Sequence, residues 1–248
     1  MKEKKVMSLA FHAEKLHDER VWRRVKKIAD WMAYRNSKAT FFVYPFRAQV
    51  EGKDISDKVR YLGALGHEIG QHTHFYAGAQ IDKHSKVDDL SDANIRCCVQ
   101  RDYETLRHMD IMPRGFTAGA WVVNEVVWDT LIDMEVVYDC SARFPKPKVA
   151  APFPYHRWAR SPQIFTNAKG SLLVLPTLCS LGEWFKWGRK MHLDGATSYQ
   201  LVYLHDYDLL SFPHCVLIHI VLALGVREGL VTAGFVAESL TRRRELDD

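Results

Sequence analysis

The sequence predicts an α/β fold in which a parallel sheet closes into a β/α barrel. Two observations carry this prediction. Short runs of β-forming apolar residues alternate with longer segments of helical periodicity, and most of the runs are followed directly by a helix. About seven or eight strands can be counted in this way. Neither an internal repeat nor a linker divides residues 1–248, so we expect a single domain.

The first half of the chain gives the clearest alternation. The first strand is apolar and ends at His12, and the helix after it carries its apolar residues on one face, with Asp18 as a candidate N-cap. A later, longer helix has Asp89 or Ser91 as its candidate cap. Predicted strands lie at residues 6–11, 39–44, 67–71 and 115–118, and predicted helices at 18–35, 55–65, 89–110 and 124–134.

The second half of the chain is less regular. A strand at 136–139 leads into the stretch 141–170, which is rich in proline, aromatic and basic residues and is predicted to be a long surface loop. Strand-forming segments then return before a last strand and helix complete the chain. These predicted elements are strands at 172–176, 200–204 and 230–233 and a helix at 235–240.

The composition excludes several classes of protein. Lys and Arg total 34 against 30 Asp and Glu, and the small excess is scattered, which argues against a nucleic-acid partner. The five cysteines have no CxxC spacing and residues 1–15 lack the apolar core of a signal peptide, so we expect a reducing, cytoplasmic location. The apolar stretch at 216–226 is about half of the ~20 residues that a bilayer requires, so no membrane span is expected.

Twelve histidines are present, and several stand where a predicted strand ends. In a β/α barrel the reacting groups come from these ends and from the loops after them. Side chains two positions apart on an extended segment point to the same side, so two converging pairs are expected. Imidazole nitrogen and carboxylate oxygen are the preferred ligands of a catalytic zinc-like ion, so the coincidence predicts a metal or acid–base site. A single histidine at a strand end is more often a hydrogen-bonded structural residue. The pairs are His12 with Glu14 and His72 with His74, and further polar strand ends are Asp139 and His205.

Five segments of the chain share their order and spacing with a known family. They are KATFFVY at 38–44, GHEIGQHTH at 66–74, PRGFTAGAW at 113–121, VVYDCSA at 136–142 and LVYLHDYDL at 201–209. Together they resemble the polysaccharide deacetylases of the NodB-homology type, carbohydrate esterase family 4, from about residue 6 to residue 235. The sequence looks nearest to the WbmS-like branch, which is encoded with O-antigen or capsule biosynthesis. The resemblance implies a distorted (β/α)7 barrel that uses one divalent metal ion to deacetylate an N-acetylated sugar. Zinc is the leading candidate for that ion.

The first motif of that family is TFDDG, in which one Asp is the general base and the other a metal ligand. Here the matching residues at 10–14 read AFHAE, which places His12 at the base position and Glu14 at the ligand position. A histidine base is chemically sound because its unperturbed pKa of about 6.5 lies near neutral pH, where general-base catalysis is most efficient. The alternative is that His12 itself binds the metal.

The second motif of the family normally supplies two histidines four residues apart. His72 matches the first of them, Tyr76 occupies the position of the second, and His74 lies between the two. A neutral tyrosine is a poor zinc ligand. The resemblance therefore favours Glu14, His72 and His74 as the metal ligands, and Tyr76 is expected to contact the substrate.

The resemblance also assigns roles outside these two motifs. His205 matches the catalytic histidine of the late strand and is expected to protonate the departing amine. Arg114 corresponds to the arginine that orients the base, with Asp139 or Glu14 as its partner, and a structural salt bridge is its alternative role. Sugar contacts are expected from Trp121, Arg157 and Trp158. The alternative role of Trp121 is core packing, and the alternative explanation of the proline-rich segment is the ordinary composition of a surface loop.

The predicted function is that of a metal-dependent carbohydrate deacetylase, a hydrolase of C–N bonds other than peptide bonds. Its substrate would be an N-acetylated sugar of a cell-surface polysaccharide, carried on a nucleotide or a lipid. Two alternatives are open. One is a catalytically altered barrel that binds carbohydrate, because the first motif lacks both aspartates. The other is a hydrolase of a different acyl group or C–N bond that uses the same site.

Overall fold

The computed structural model describes residues 6–75, 91–145, 157–186, 199–225 and 230–247. In these ranges the strands form one curled sheet, and no helix is long and apolar enough to cross a membrane. The strands are β1 (Val6–Ala13), β2 (Thr40–Val43), β3 (Glu68–Thr73), β4 (Gly115–Ala118), β5 (Tyr138–Asp139), β6 (Gln163–Thr166), β7 (Ser171–Val174), β8 (Cys179–Ser180), β9 (Tyr199–His205) and β10 (Leu230–Val231). The helices are α1 (Glu19–Tyr34), α2 (Pro45–Val50), α3 (Ser56–Ala64), α4 (Asp92–Arg107), α5 (Glu125–Asp133), α6 (Leu181–Lys186), α7 (Phe212–Gly225) and α8 (Ala233–Asp247).

The sheet is parallel except at one edge. Its strand order is β6-β7-β5-β4-β3-β2-β1-β9-β8, and β6 pairs antiparallel with β7. β10 pairs with the start of β1, next to the stretch of β1 that pairs with β2. β7 pairs with β5, and β8, which follows shortly in the chain, pairs with β9, so this segment connects the two ends of the sheet. The result is a curled α/β sheet. Seven regular β/α units in a closed barrel remain an expectation from the sequence.

Most predicted elements are present with shifted ends. β4 has its predicted bounds, while β1 and β3 extend two residues further toward their carboxyl ends than predicted. The expected caps are formed, since Asp18 accepts a hydrogen bond from Arg20 N and Ser91 accepts one from Asn94 N. The stretch 141–170 is not a loop throughout, because β6 lies in its described part.

The parallel register brings the polar strand ends together. β1 is buried along nearly its whole length, and Phe11 stacks on Phe41 of β2 with ring centroids 4.6 Å apart. Burial on both faces is typical of a parallel sheet covered by helices. At the carboxyl end of β1, His12 is in register with Phe42 of β2 on one side and His205 of β9 on the other. The carboxyl edge of the sheet therefore collects titratable side chains from strands that are distant in sequence.

Candidate metal centre and active site

Glu14, His72 and His74 converge at the carboxyl edge of the sheet. Glu14 Oε1 lies 3.3 Å from His72 Nε2 and 3.1 Å from His74 Nε2, and the two imidazole nitrogens are 3.1 Å apart. Within the described ranges these side chains form the group whose ligand atoms all lie within 4.8 Å of one another. His12 is not part of that group. We call Glu14, His72 and His74 the ligand cluster.

The donor geometry of the ligand cluster fits a divalent ion. His72 Nδ1 lies 2.9 Å from the carbonyl oxygen of Thr117 and donates to it, which leaves the lone pair of Nε2 facing Glu14. A carbonyl behind a ligating imidazole fixes its tautomer in this way in many metal sites. Atoms that bind a tetrahedral ion at about 2.0–2.1 Å lie about 3.3 Å apart, close to the separations in the cluster. Three protein ligands leave a fourth position for water.

Close packing holds His74 in place. Gly119 lies in a short 3-10 turn (Gly119–Trp121) directly after β4, and a Cβ built on it would lie 2.4 Å from His74 Cγ. Tyr44, which follows β2, contacts the same ring with centroids 4.8 Å apart. Position 119 therefore requires glycine, because any larger residue would displace one of the three candidate ligands.

Burial and hydrogen bonding set the charge of the ligand cluster. Burial disfavours an ionised carboxylate, but the close approach of the His72 and His74 rings outweighs it and holds the pKa of Glu14 well below its usual range. Burial also lowers the pKa of His72, although its contact with Glu14 opposes this. At neutral pH an ionised carboxylate therefore faces a neutral imidazole. These are the forms in which both groups bind metal.

His12 lies against the ligand cluster, buried in an aromatic environment. Its ring centroid is 4.8 Å from that of His72 and 5.4 Å from that of His205. Tyr203 of β9 stacks on it at 5.0 Å with an interplanar angle of 22°. Burial, together with the neighbouring imidazoles, lowers the pKa of His12 well below its ordinary value. His12 is therefore a neutral imidazole at pH 7 and can accept a proton.

His205 approaches the ligand cluster from the end of β9. Its Nε2 lies 3.8 Å from Glu14 Oε1, and its Nδ1 lies 3.6 Å from Asp208 Oδ2. Tyr207 stacks on the ring with centroids 4.8 Å apart. Burial by itself lowers the pKa of His205, but the carboxylates of Asp208 and Glu14 outweigh it and raise that pKa. His205 keeps its proton to higher pH than a free histidine does, which suits a proton donor.

Asp206 joins the two strand ends that carry Glu14 and His205. The side chain is fully buried, and it accepts hydrogen bonds from Lys15 N at 2.7 Å and from Tyr207 N at 2.9 Å. Burial raises its pKa to about 7. These bonds tie the residues after β1 to the 3-10 helix (Asp206–Leu210) after β9. The positions of Glu14 and His205 are therefore coupled through one buried carboxyl group.

Arg114, predicted to orient the base, lies away from the ligand cluster. It precedes β4, whereas the cluster lies where the strands end. Its side chain is 56% exposed and forms an ion pair with Glu238 of α8 at 2.6 Å. This position contradicts a role at the base and agrees with the alternative interpretation, a structural salt bridge.

Asp139, predicted as the partner of that arginine, ends β5 but faces the helical layer. It accepts hydrogen bonds from Trp128 Nε1 of α5 and from Ser141 N, both at 2.9 Å, and burial raises its pKa to about 6. The preceding residue, Tyr138, packs against Gly115 of β4 so closely that a Cβ there would lie 2.1 Å from Tyr138 Cζ. Since alternate residues of a strand face opposite sides, Asp139 points toward α5. These hydrogen bonds give Asp139 a structural role.

We expect Arg114→Ala to leave metal content and catalytic activity unchanged. Among the described residues the side chain pairs with the exposed Glu238, and such exposed pairs contribute about 0–1 kcal/mol to the free energy of unfolding. Urea denaturation and elemental analysis of the variant check both parts of this expectation. A loss of activity as large as that of a catalytic histidine variant would instead return Arg114 to the site.

Trp121, predicted to contact the sugar, is brought to the site. Its ring centroid lies 5.4 Å from that of His12 and 4.8 Å from that of Tyr203. Trp121 and Ala120 both have positive φ values, 62° and 52°, so the backbone turns sharply directly after β4. This conformation is uncommon for residues other than glycine and is often found at functional sites.

The other predicted sugar contacts are placed differently. Trp158 lies near Trp121, because Arg143 contacts both rings, at 5.8 Å and 4.9 Å from their centroids. Arg157 is exposed and lies over the ring of Trp128 at 5.8 Å, on the side of α5. Tyr76 lies outside the described residues.

The residues that sequence reasoning missed are mainly aromatic and enclose the histidines. Tyr203 stands two positions before His205 on β9, so the same alternation that pairs His12 with Glu14 pointed to it. Tyr44 directly follows β2, another strand end. For Arg143 the signal is weaker, because its contacts join segments far apart in the sequence. The missed residues are Tyr44, Arg143, Tyr203 and Tyr207.

Comparison with solved structures identifies the fold. No protein-family model and no curated protein matches the sequence. A Mycobacterium smegmatis protein assigned as a polysaccharide deacetylase matches with a TM-score of 0.68 at 15% identity, covering 98% of this chain and 93% of that one. The chain has the polysaccharide deacetylase fold.

Two further structures with this fold differ in what they do. A family 4 acetyl xylan esterase from Clostridium thermocellum, solved with a cobalt ion, has a TM-score of 0.54 at 16% identity and covers 94% of this chain and 90% of that one. BA3943 of Bacillus anthracis, a CE4 family pseudoenzyme, has a TM-score of 0.57 at 12% identity, with 96% and 66% covered. At these identities the likeness concerns the fold, and activity has to be argued from the site.

Proposed function

We propose that this protein is a metal-dependent carbohydrate deacetylase that removes an N-acetyl group from a sugar. The observation that carries the proposal is the convergence of Glu14, His72 and His74 next to His12 and His205. The fold supports it, because the chain shares that fold with a protein assigned as a polysaccharide deacetylase and with an acetyl xylan esterase.

Glu14, His72 and His74 would hold the metal ion, and their mixed nitrogen and oxygen donors suit zinc. When bound, such an ion polarises the acetamide carbonyl and lowers the pKa of water toward about 7. Glu14 contributes the negative charge of the site. The hydrogen bond from His72 to Thr117 keeps one ligand oriented before any ion arrives.

His12 takes the proton of the attacking water. Its lowered pKa means that the imidazole is free to accept a proton at neutral pH, and general-base catalysis requires this form. Tyr203 and Trp121 pack on its ring, so they fix its plane and limit the access of bulk water. In this assignment His12 is the base and stays outside the ligand cluster.

His205 gives a proton to the departing nitrogen. An amide anion is too basic to leave, so the C–N bond breaks as the nitrogen gains a proton. His205 is suited to this step because the Asp208 carboxylate stabilises its protonated form. The products are acetic acid, which ionises to acetate at neutral pH, and the free amino sugar, with one proton of the water on His12 and the proton of His205 on the amine.

We further propose that the sugar belongs to an O-antigen or capsule precursor, carried on a nucleotide or a lipid and processed in the cytoplasm. The sequence resemblance to the WbmS-like branch supports this substrate class. The aromatic rings of Trp121 and Trp158 would face the apolar side of the sugar. Tyr76 is the remaining proposed sugar contact, whereas Arg157 lies over the ring of Trp128.

Two measurements on the purified protein test the proposed function. After loading with zinc and dialysis, elemental analysis is expected to give about one ion per chain. Acetate release is expected from at least one of UDP-N-acetylglucosamine, N,N′-diacetylchitobiose and a lipid-linked N-acetylated glycan. A protein that retains no metal would contradict the site, and a metal-loaded protein that releases no acetate from any of the three would contradict the activity.

A carbohydrate-binding protein with this fold is the second candidate. The observation that favours it is His12, which stands where the resembling family has an aspartate. The fold match to a CE4 family pseudoenzyme is consistent with it. This candidate predicts binding of N,N′-diacetylchitobiose in calorimetric titration without acetate release. Acetate release that depends on His12 would exclude it.

A further inference from the structure

Arg143 lies beside the candidate active site and has no part in the chemistry described above. It follows β5 by four residues, beyond the carboxyl end of that strand. Its N–H donates to Arg157 O and its carbonyl accepts from Ala159 N, both at 2.9 Å, and it also forms a bridge with Thr177. The backbone is held by two neighbouring segments, so the side chain starts from a fixed position.

Two tryptophans flank the guanidinium of Arg143. Its Cζ lies 4.9 Å from the ring centroid of Trp121 and 5.8 Å from that of Trp158. The Trp121 ring is 5.4 Å from the ring of His12, so one side chain separates Arg143 from the proposed base. An arginine that packs on aromatic faces keeps its N–H groups, which lie in the guanidinium plane, available to other partners.

The charge of Arg143 has no acidic partner in the part of the chain that the structure describes. None of the ion pairs there includes it, whereas Arg101 and Arg114 each pair with a carboxylate, at 2.8 Å and 2.6 Å. A guanidinium is weakly hydrated and matches the geometry of carboxylate and phosphate oxygens. A half-buried, oriented and unpaired guanidinium next to a reactive centre is therefore suited to an anionic ligand.

We propose that Arg143, held between Trp121 and Trp158, binds an anionic oxygen group of the substrate, a carboxylate or a phosphate. This inference rests on the proposed deacetylase function and narrows its substrate to acidic N-acetylated sugars or to sugars carried on phosphate. The guanidinium donates two parallel hydrogen bonds to the anion, while the indole rings pack on the sugar. The acetamido group then lies toward His12 and the ligand cluster.

Acetate release by the zinc-loaded protein tests the inference with three substrates. N,N′-diacetylchitobiose is neutral, the N-acetylated disaccharide of hyaluronan carries a carboxylate, and UDP-N-acetylglucosamine carries a diphosphate. Arg143→Gln is expected to lower kcat/KM on one anionic substrate by about 10- to 100-fold, as expected for lost hydrogen bonds to a charged group, mainly through KM. The substrate that is affected identifies the anion. The neutral substrate is expected to change little.

Arg160→Gln is the matched control, because Arg160 is exposed and also packs on an aromatic ring, that of Phe144 at 5.6 Å. It is expected to behave as wild type on all three substrates. An equal loss on neutral and anionic substrates in Arg143→Gln would show that Arg143 only supports Trp121, and no loss would show that it binds no anion. Either result overturns the inference.

A binding experiment separates failure of this inference from failure of the proposed function. The intrinsic fluorescence of the metal-free protein is titrated with sodium glucuronate and, separately, with inorganic phosphate. One of them is expected to give a saturable change, because Trp121 and Trp158 contact the guanidinium that binds it. The change is expected to be absent in Arg143→Gln and present in Arg160→Gln. No saturable change in the wild type, or the same change in Arg143→Gln, overturns the inference whether or not acetate is released.

Discussion

Glu14→Gln is expected to remove both the bound metal and the acetate-releasing activity. The substitution keeps the size of the side chain but replaces the only carboxylate of the ligand cluster with a neutral amide. The two imidazoles, with nitrogens 3.1 Å apart, would then share an ion without a compensating negative charge. Elemental analysis after dialysis is expected to fall from about one ion per chain to background, and acetate release to that of a protein-free sample.

The matched control for this substitution is Glu104→Gln. Glu104 is an exposed carboxylate of α4 that pairs with Arg107, so its loss is expected to change neither metal content nor activity. Circular dichroism of both variants checks that the fold is retained. A Glu14→Gln protein that keeps stoichiometric zinc would show that the three side chains are not the metal site.

The ligand cluster was predictable because it follows from two local rules. Alternation along an extended segment places residues two apart on one side, and strands of a parallel sheet bring their carboxyl ends to one edge. These rules suffice for the pairs His12 with Glu14 and His72 with His74. They do not say whether His12 joins the ligands. That distinction depends on the separation between β1 and β3, which are joined through β2 in the sheet.

The sequence resemblance assigned Arg114 and Asp139 to the active site, and the structure places both side chains elsewhere. The difference arises because the side chain of each residue depends on which end or which face of a short strand carries it. Arg114 immediately precedes β4 and so lies at the wrong end of that strand. Asp139 lies at the carboxyl end of β5, as predicted, but its side chain is on the face toward α5. Tyr138 occupies the opposite face, next to Gly115. A resemblance in sequence aligns residues along the chain, but it does not fix which face of a two-residue strand each of them takes.

The elements that the sequence did not predict have little periodicity to detect. β8 is two residues long, and β6 has mainly exposed residues, so neither shows the alternation of a half-buried strand. α7 is apolar on all sides, and therefore lacks the one-sided pattern that identified α1. Arg143 was not predicted as a site residue because no local pattern marks it. Its role follows from its contacts with Trp121 and Trp158, two residues that the fold brings together.

His205→Gln is expected to lower kcat by about 10²- to 10⁴-fold while leaving zinc content unchanged. His205 lies 3.8 Å from Glu14 but is not one of the ligand cluster, so its loss removes a proton donor and not an ion. His108→Gln, at an exposed histidine that follows α4, is the matched control and is expected to behave as wild type. A His205→Gln variant that loses its zinc would make His205 a ligand instead of an acid.

The pH dependence of Asp208→Asn separates a proton donor from a residue that only positions the substrate. Burial lowers the pKa of His205 and Asp208 raises it, so removing the charge of Asp208 is expected to lower that pKa. A general acid works in its protonated form, so kcat/KM should begin to fall at lower pH in the variant than in wild type. Asparagine still offers an oxygen to His205 N, which donates to Asp208 at 3.0 Å, so the local backbone is preserved. An alkaline limb at the same pH in both proteins would mean that His205 does not supply the proton to the departing amine.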